Sequence, residues 1–215
     1  MFDTIFFDLD GTLTDPGEGI TNSVAYALRQ TGREVPPRSE LYAYIGPPLL
    51  EQFMDTYGMS LDEARVLVDH FHDYFQRQGI LENELYTGIP EALQALKDAG
   101  ARLVVATSKP EPFALRVLER FDLRKYFSLV AGSTLDEQRT QKAAVIAYAL
   151  EQLGPSVGKS LMVGDRKHDV LGAKAHGIPA VGALYGYGSR EELVDAGAVA
   201  IADTVADLVP VILGL

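Results

Sequence analysis

The chain has 215 residues, 47% of them apolar and 23% charged, with a formal net charge of −11. That length holds one large domain or one domain with an insert, and the acidic balance argues against a nucleic-acid polymer as partner. No cysteine is present, which excludes disulfides and thiolate metal sites.

Taken in order, short apolar runs alternate with helical patterns. Thr4–Phe7, Leu103–Ala106, Leu129–Ala131, Leu161–Val163 and Ala180–Val181 read as buried strands, and Val199–Ala202 as a weaker one. Between them, Glu91–Ala99 stops at Gly100, Phe113–Phe121 shows the same period, and Lys142–Leu153 stops at Gly154. Ser189-Arg190-Glu191-Glu192 reads as a capping box opening a helix that Gly197 ends. This alternation predicts an α/β fold, a doubly wound, Rossmann-like parallel sheet.

Residues 15–86 break the pattern. Ile20, Val24, Ala27 and Leu28 form one helical stripe, and a capping box at Ser60-Leu61-Asp62-Glu63 opens a second helix towards Tyr74. No strand is evident there. The expected organisation is an α/β core of residues 1–14 and 87–215 with an all-helical cap of residues 15–86. Asp15-Pro16-Gly17 and Gly88/Pro90 would serve as hinges.

No apolar run approaches a bilayer span, and the tail Leu208–Leu215 is far too short for one. The N-terminal apolar residues follow no basic stretch and are interrupted by Asp3, Asp8 and Asp10, so no signal peptide is expected and the chain reads as cytoplasmic.

Four polar clusters each follow a predicted strand: Asp8/Asp10, Thr107-Ser108-Lys109, Gly132-Ser133-Thr134, and Gly164-Asp165 with Asp169. In a doubly wound sheet the strand ends share one edge, where ligands bind. Period-2 geometry sends Asp8 and Asp10 the same way, and Gly11 permits a sharp turn. Two carboxylates that close need a cation or a shared proton. Asp8 is the candidate nucleophile, able to hold a phosphoryl group as an acyl phosphate, and Asp10 the candidate acid/base.

Asp165 is a candidate Mg²⁺ ligand facing Asp8. Asp169, four residues on, is a direct ligand or an outer, salt-bridged carboxylate. Thr107 and Ser108 would donate to phosphate oxygens. Lys142 would offset the carboxylates and hold the phosphate as a point charge, with Lys109 and Arg139 as competitors for that role. His70, His72, His168 and His176 match no zinc spacing and are assigned to structure or surface. Tyr185-Gly186-Tyr187-Gly188 is glycine-rich but lacks the dinucleotide-binding spacing.

Together these residues resemble the haloacid dehalogenase superfamily in its phosphatase branch. Asp8-Leu9-Asp10-Gly11-Thr12 is similar to its first motif, Thr107-Ser108 to its second, Lys142 to its third and Gly164-Asp165 with Asp169 to its fourth. Tyr44-Ile45-Gly46-Pro47-Pro48-Leu49 and Gly186–Glu192 resemble its phosphoglycolate-phosphatase-like group. The resemblance implies a phosphoaspartate on Asp8 and acid/base work by Asp10. It implies Mg²⁺ held by the Asp8 side chain, the Asp10 backbone carbonyl and Asp165, with Asp169 in or near that shell. Phosphate would be bound by Thr107 and Lys142. The cap would close over the core and contact substrate from Gly46-Pro47-Pro48. Ser108 departs from a common Thr-Asn pair, and Thr140-Gln141-Lys142-Ala143 from a frequent Lys-Pro context.

The expected activity is Mg²⁺-dependent hydrolysis of a small phosphorylated metabolite, phosphoglycolate-phosphatase-like, by a monomer or homodimer acting on no membrane. The alternatives are a 5'-nucleotidase-type nucleoside monophosphate phosphatase, a sugar-phosphate mutase, and a non-catalytic binding protein on the same scaffold.

Overall fold

The computed structural model describes residues 2–136 and 138–215. The chain divides into two compact units, Met1–Thr14 with Leu85–Leu215, and Asp15–Glu84.

The larger unit is built on six parallel strands. Thr4–Phe7 is buried at every residue, as a strand covered on both faces must be. The spatial order is Leu129–Ser133, Arg102–Pro110, Thr4–Phe7, Ser160–Gly164, Ala180–Ala183, Ala200–Ala202. This is the doubly wound α/β sheet that the alternation predicts. Its order reverses between Thr4–Phe7 and Ser160–Gly164, where such sheets bind ligands.

Register fixes what meets at that edge. Phe7 is level with Val105 on one side and Val163 on the other, and Asp8 N donates to Val163 O at 2.9 Å. Asp8, Ala106 and Gly164 therefore stand level with one another at that edge. The strand from Arg102 runs on to Pro110, well past the expected end at Ala106. Ala106 opposes Ala131 but Pro110 opposes Ser133, so Thr107–Lys109 form a bulge that absorbs the surplus residues.

The helix Lys142–Leu153 has the expected bounds and buries Val145, Ile146 and Ala149 against Phe6, Val104 and Met162 of the sheet. Ile89–Asp98 and Glu111–Arg120 start earlier than the apolar periodicity indicates, because Pro90 and Pro112 sit in their first turns, where a missing N–H is harmless. Ser189 accepts from Glu192 N at 3.0 Å. The Glu192 carboxylate does not return to complete the expected box; it serves Arg166 and Lys167 instead.

The smaller unit is helical. Gly17–Gln30 packs on Leu61–Tyr74, whose box between Ser60 and Glu63 is complete. It also holds two further helices, Arg38–Leu41 and Leu49–Tyr57, a 3-10 turn, Tyr42–Tyr44, and a π-helical turn, Phe75–Gly79. The chain crosses between the units through two short strands absent from the sequence reading, Thr14–Asp15 and Glu84–Leu85, which pair with each other. Among the described residues no helix is long and apolar enough to cross a membrane.

Candidate active site

Every buried charged side chain among the described residues lies in one place. Asp8, Asp10, Lys109, Lys142, Asp165 and Asp169 are all buried, and contacts or charge couplings join them at the carboxyl ends of the strands. Burying so many charges is costly unless each is paired or meets a ligand.

Lys142 is the hub. It is the first residue of its helix, and its Nζ donates to Ala106 O at 2.9 Å. The same nitrogen forms ion pairs with Asp8 Oδ1 and Asp169 Oδ1, each at 2.8 Å. An ammonium has three hydrogens, and three acceptors surround it. Burial disfavours its charge, but Asp169 and Asp8 outweigh burial and hold its pKa above the ordinary lysine value.

Asp165 follows the central Ser160–Gly164 strand. Thr12 Oγ1 donates to its Oδ1 at 3.1 Å and Tyr187 N to its Oδ2 at 2.9 Å. Burial, then repulsion from Asp169 and Asp8, push its pKa well up; the Tyr187 and Arg166 contacts only partly offset this. Asp169 sits in the first turn of Lys167–Lys174, and Arg166 N donates to its Oδ2 at 3.1 Å. Gly164 makes room for it: a Cβ there would lie 2.2 Å from Asp169 Cγ.

Asp10 lies in the turn after the first strand, where Gly11 takes φ +83°. Its carboxylate pairs with Lys109. Burial raises the Asp10 pKa and Asp8 adds to this, while Lys109 opposes it. Thr107 is buried in the bulge, and its Oγ1 accepts from Lys109 N at 3.2 Å. Ser108 Oγ is buried without a partner.

All seven candidates thus belong to the strand ends, but they make different contacts. Lys142 reaches Asp8. Lys109, its competitor in the sequence reading, takes Asp10 instead. Arg139, the other competitor, lies elsewhere: it donates to Gly132 O at 3.0 Å and stacks 3.7 Å above the Tyr148 ring. The sequence reading also gave no role to the Tyr185–Gly188 loop, which closes on this site. Tyr185 Oη donates to Thr12 O at 2.9 Å. Gly186 and Gly188 let its backbone approach: Cβ atoms there would lie 2.3 Å from Gly11 O and 2.0 Å from Asp165 O. The two glycines spaced about Tyr187 were the available signal.

The donor set suits a divalent cation. Asp8, Asp165 and Asp169 each offer a carboxylate oxygen, all within 4.8 Å of one another. The four buried carboxylates and two buried ammonium groups leave a formal charge of −2, which one divalent ion would cancel. Oxygen-only ligation suits Mg²⁺. The residues fit.

A family model described as haloacid dehalogenase-like hydrolase matches residues 5–183. The chain belongs to that family, in its phosphatase branch. A 5'-nucleotidase of Pseudomonas aeruginosa is 46% identical over 194 residues, covering 89% of this chain and 87% of that one. A tyrosine-protein kinase, PtkA, of Mycobacterium tuberculosis is 42% identical over 191 residues; the match spans 89% of this chain but 65% of the longer relative. The crystal structure of a predicted phosphatase from Clostridium acetobutylicum superposes with a TM-score of 0.96 at 44% identity, over 100% of both chains.

Proposed function

We propose that this chain hydrolyses small phosphomonoesters, with Mg²⁺, through a phosphoaspartate on Asp8. The observation that carries this reading is the gathering of all six buried charges at one sheet edge, with a charge deficit that one divalent ion would fill. Asp8, Asp165 and the Asp10 carbonyl would hold the ion, with Asp169 at its margin. When bound, it would supply positive charge that eases the approach of one anion to another.

The remaining steps fall to the chain itself. An Asp8 carboxylate oxygen attacks phosphorus as the ester P–O bond breaks, its electron pair leaving with the alcohol oxygen. Asp10 gives that oxygen a proton, then takes one from the water that cleaves the acyl phosphate. Lys142 keeps Asp8 in place and faces the phosphate as a fixed positive charge. The unpartnered Ser108 Oγ and the Thr107 hydroxyl, whose oxygen already accepts from Lys109 N, are donors for phosphate oxygens. Asp169, bound at both oxygens, holds Lys142 and the start of its own helix.

For substrate we propose a nucleoside 5'-monophosphate first, supported by the 46% identity to a 5'-nucleotidase, with phosphoglycolate second on the Tyr44–Leu49 and Gly186–Glu192 resemblance. Phosphate release from both, and from hexose phosphates, with Mg²⁺ and with chelator, tests the reading. The expected result is Mg²⁺-dependent release and a hydroxylamine-labile phosphoenzyme. Release from no member of the panel would refute it, and hexose phosphate isomerisation would point to a mutase.

A further inference from the structure

Asp10 has a fixed backbone. Gly11 N donates to Thr14 O at 2.8 Å and Leu13 N to Leu9 O at 2.9 Å, closing the turn around it. The terminal torsion of an aspartate is nonetheless broad, so a held backbone does not fix the plane of the carboxylate or the direction in which its second oxygen points. The side chain in contact with that carboxylate is Lys109. Its side chain is 6% exposed and that of Asp10 11%. Its Nζ pairs with Asp10 Oδ2, and Asp10 Oδ1 is buried with no partner. Lys109 is itself placed by the bulge, through the bond from its N to Thr107 Oγ1.

We propose that Lys109 is a positioning residue for Asp10, locking Oδ2 so that Oδ1 is the oxygen that exchanges the proton with the leaving group. This rests on the phosphoaspartate reading above and adds an assignment to it. In the first half-reaction the Asp8–phosphorus bond forms, the phosphorus–ester oxygen bond breaks, and the departing oxygen takes its proton from Oδ1 while Lys109 stays on Oδ2. Lys109 then has no direct contact with the phosphoryl group, which is left to Lys142. A buried charged hydrogen bond is directional enough to hold one carboxylate rotamer.

Leaving-group dependence separates this from a charge-balancing or phosphate-binding role. An alkyl phosphate needs the proton; p-nitrophenyl phosphate, with its stabilised phenolate, needs it far less. First-turnover release of the alcohol or phenol is measured by rapid quench, with the full chain and Mg²⁺, for wild type, Asp10→Asn, Lys109→Met, Lys109→Arg and the Asp10→Asn/Lys109→Met double variant. In Lys109→Met the loss on the alkyl ester should exceed that on the aryl ester by about 10-fold or more, a part of the roughly 10²- to 10⁴-fold that a general acid supplies. Lys109→Arg should recover most of it, and the double variant should be no slower than Asp10→Asn. Where the Met variant melts too low, Lys109→Leu, which likewise offers no donor to Oδ2, reads the same ratio.

Equal losses on both esters, an additive double variant, or weaker inhibition by inorganic phosphate at unchanged leaving-group ratio would overturn the proposal. If Asp10→Asn itself shows no preference between the esters, the failure lies in the acid/base reading of Asp10, and that outcome is recognisable without the lysine variants.

Discussion

The two units bury polar groups in opposite ways. In Asp15–Glu84 the buried polar residues are Thr21, Ser23 and Asn83, and none is charged. Thr21 and Ser23 spend their hydroxyls on carbonyls one turn back, Gly17 O at 2.7 Å and Gly19 O at 2.6 Å. Its interior is otherwise side-chain packing, such as Phe53 against Tyr44 at 4.9 Å between ring centroids. The larger unit gathers four carboxylates and two ammonium groups out of water. Burial of that kind is retained at a cost in stability, and chemistry is the reason to retain it. Substitutions should therefore separate: activity lost without stability at the buried charges of the larger unit, stability lost in the interior of the smaller one.

Asp8→Asn is the strongest attempt to break that contrast. It should lower turnover by about 10⁴-fold or more, as loss of a nucleophile does. The fold should survive, because the amide relieves repulsion among the remaining carboxylates while leaving an oxygen near Lys142. Turnover and the melting temperature of the metal-free protein are measured together. Retained turnover, or a collapse of the melting temperature, would count against the contrast.

Gly188→Ala probes the same unit one layer out. Its Cβ would meet Asp165 O at 2.0 Å, so backbone must move where Asp165 is held. Mg²⁺ affinity, read by calorimetry, should weaken about 10- to 100-fold, the usual cost of disturbing a ligand's support. An unchanged affinity would remove Asp165 from the metal site or show that the loop yields freely.

Phe53→Ala sharpens the other side. Phe53 is the one fully buried residue of Leu49–Tyr57 and is 0% exposed. Its loss should cost about 3–5 kcal/mol, or about 10 °C in Tm. A smaller shift in thermal unfolding would mean that this helix collapses onto the space.

That same helix explains what sequence reading can and cannot recover. Thr4–Phe7 and Lys142–Leu153 are legible to the residue because each announces itself: four buried positions in a row, and a helical stripe stopped by Gly154. Leu49–Tyr57 buries one residue fully and so shows no stripe. At the site, Asp8 and Asp165 are legible because they follow apolar runs. Their partners are not. That Lys142 takes Asp8 and Lys109 takes Asp10 depends on register and on the bulge at Thr107–Lys109, which residue types do not specify. Ser189–Glu192 is a further case: the spacing is that of a capping box, yet a better use for the carboxylate lies on another helix.

Glu192 gives the smallest and most specific test. Its Oε1 accepts from Lys167 N at 2.8 Å and from Arg166 Nε at 2.9 Å, tying the Arg190–Ala196 helix to the segment that carries Asp165 and Asp169. Burial opposes its ionisation, but these two contacts outweigh burial and hold its pKa below the ordinary 4.5. A depressed carboxyl pKa means that the folded state prefers the charged form. The stabilisation is therefore fully present above the ordinary value and is lost as the pH falls through the lower, folded value. Glu192→Gln should cost about 1 kcal/mol at neutral pH, the modest figure reflecting partial exposure. The difference from wild type in denaturant unfolding should close on acidification below the ordinary glutamate range. A difference that stays constant through that range would assign the effect to shape, not to charge.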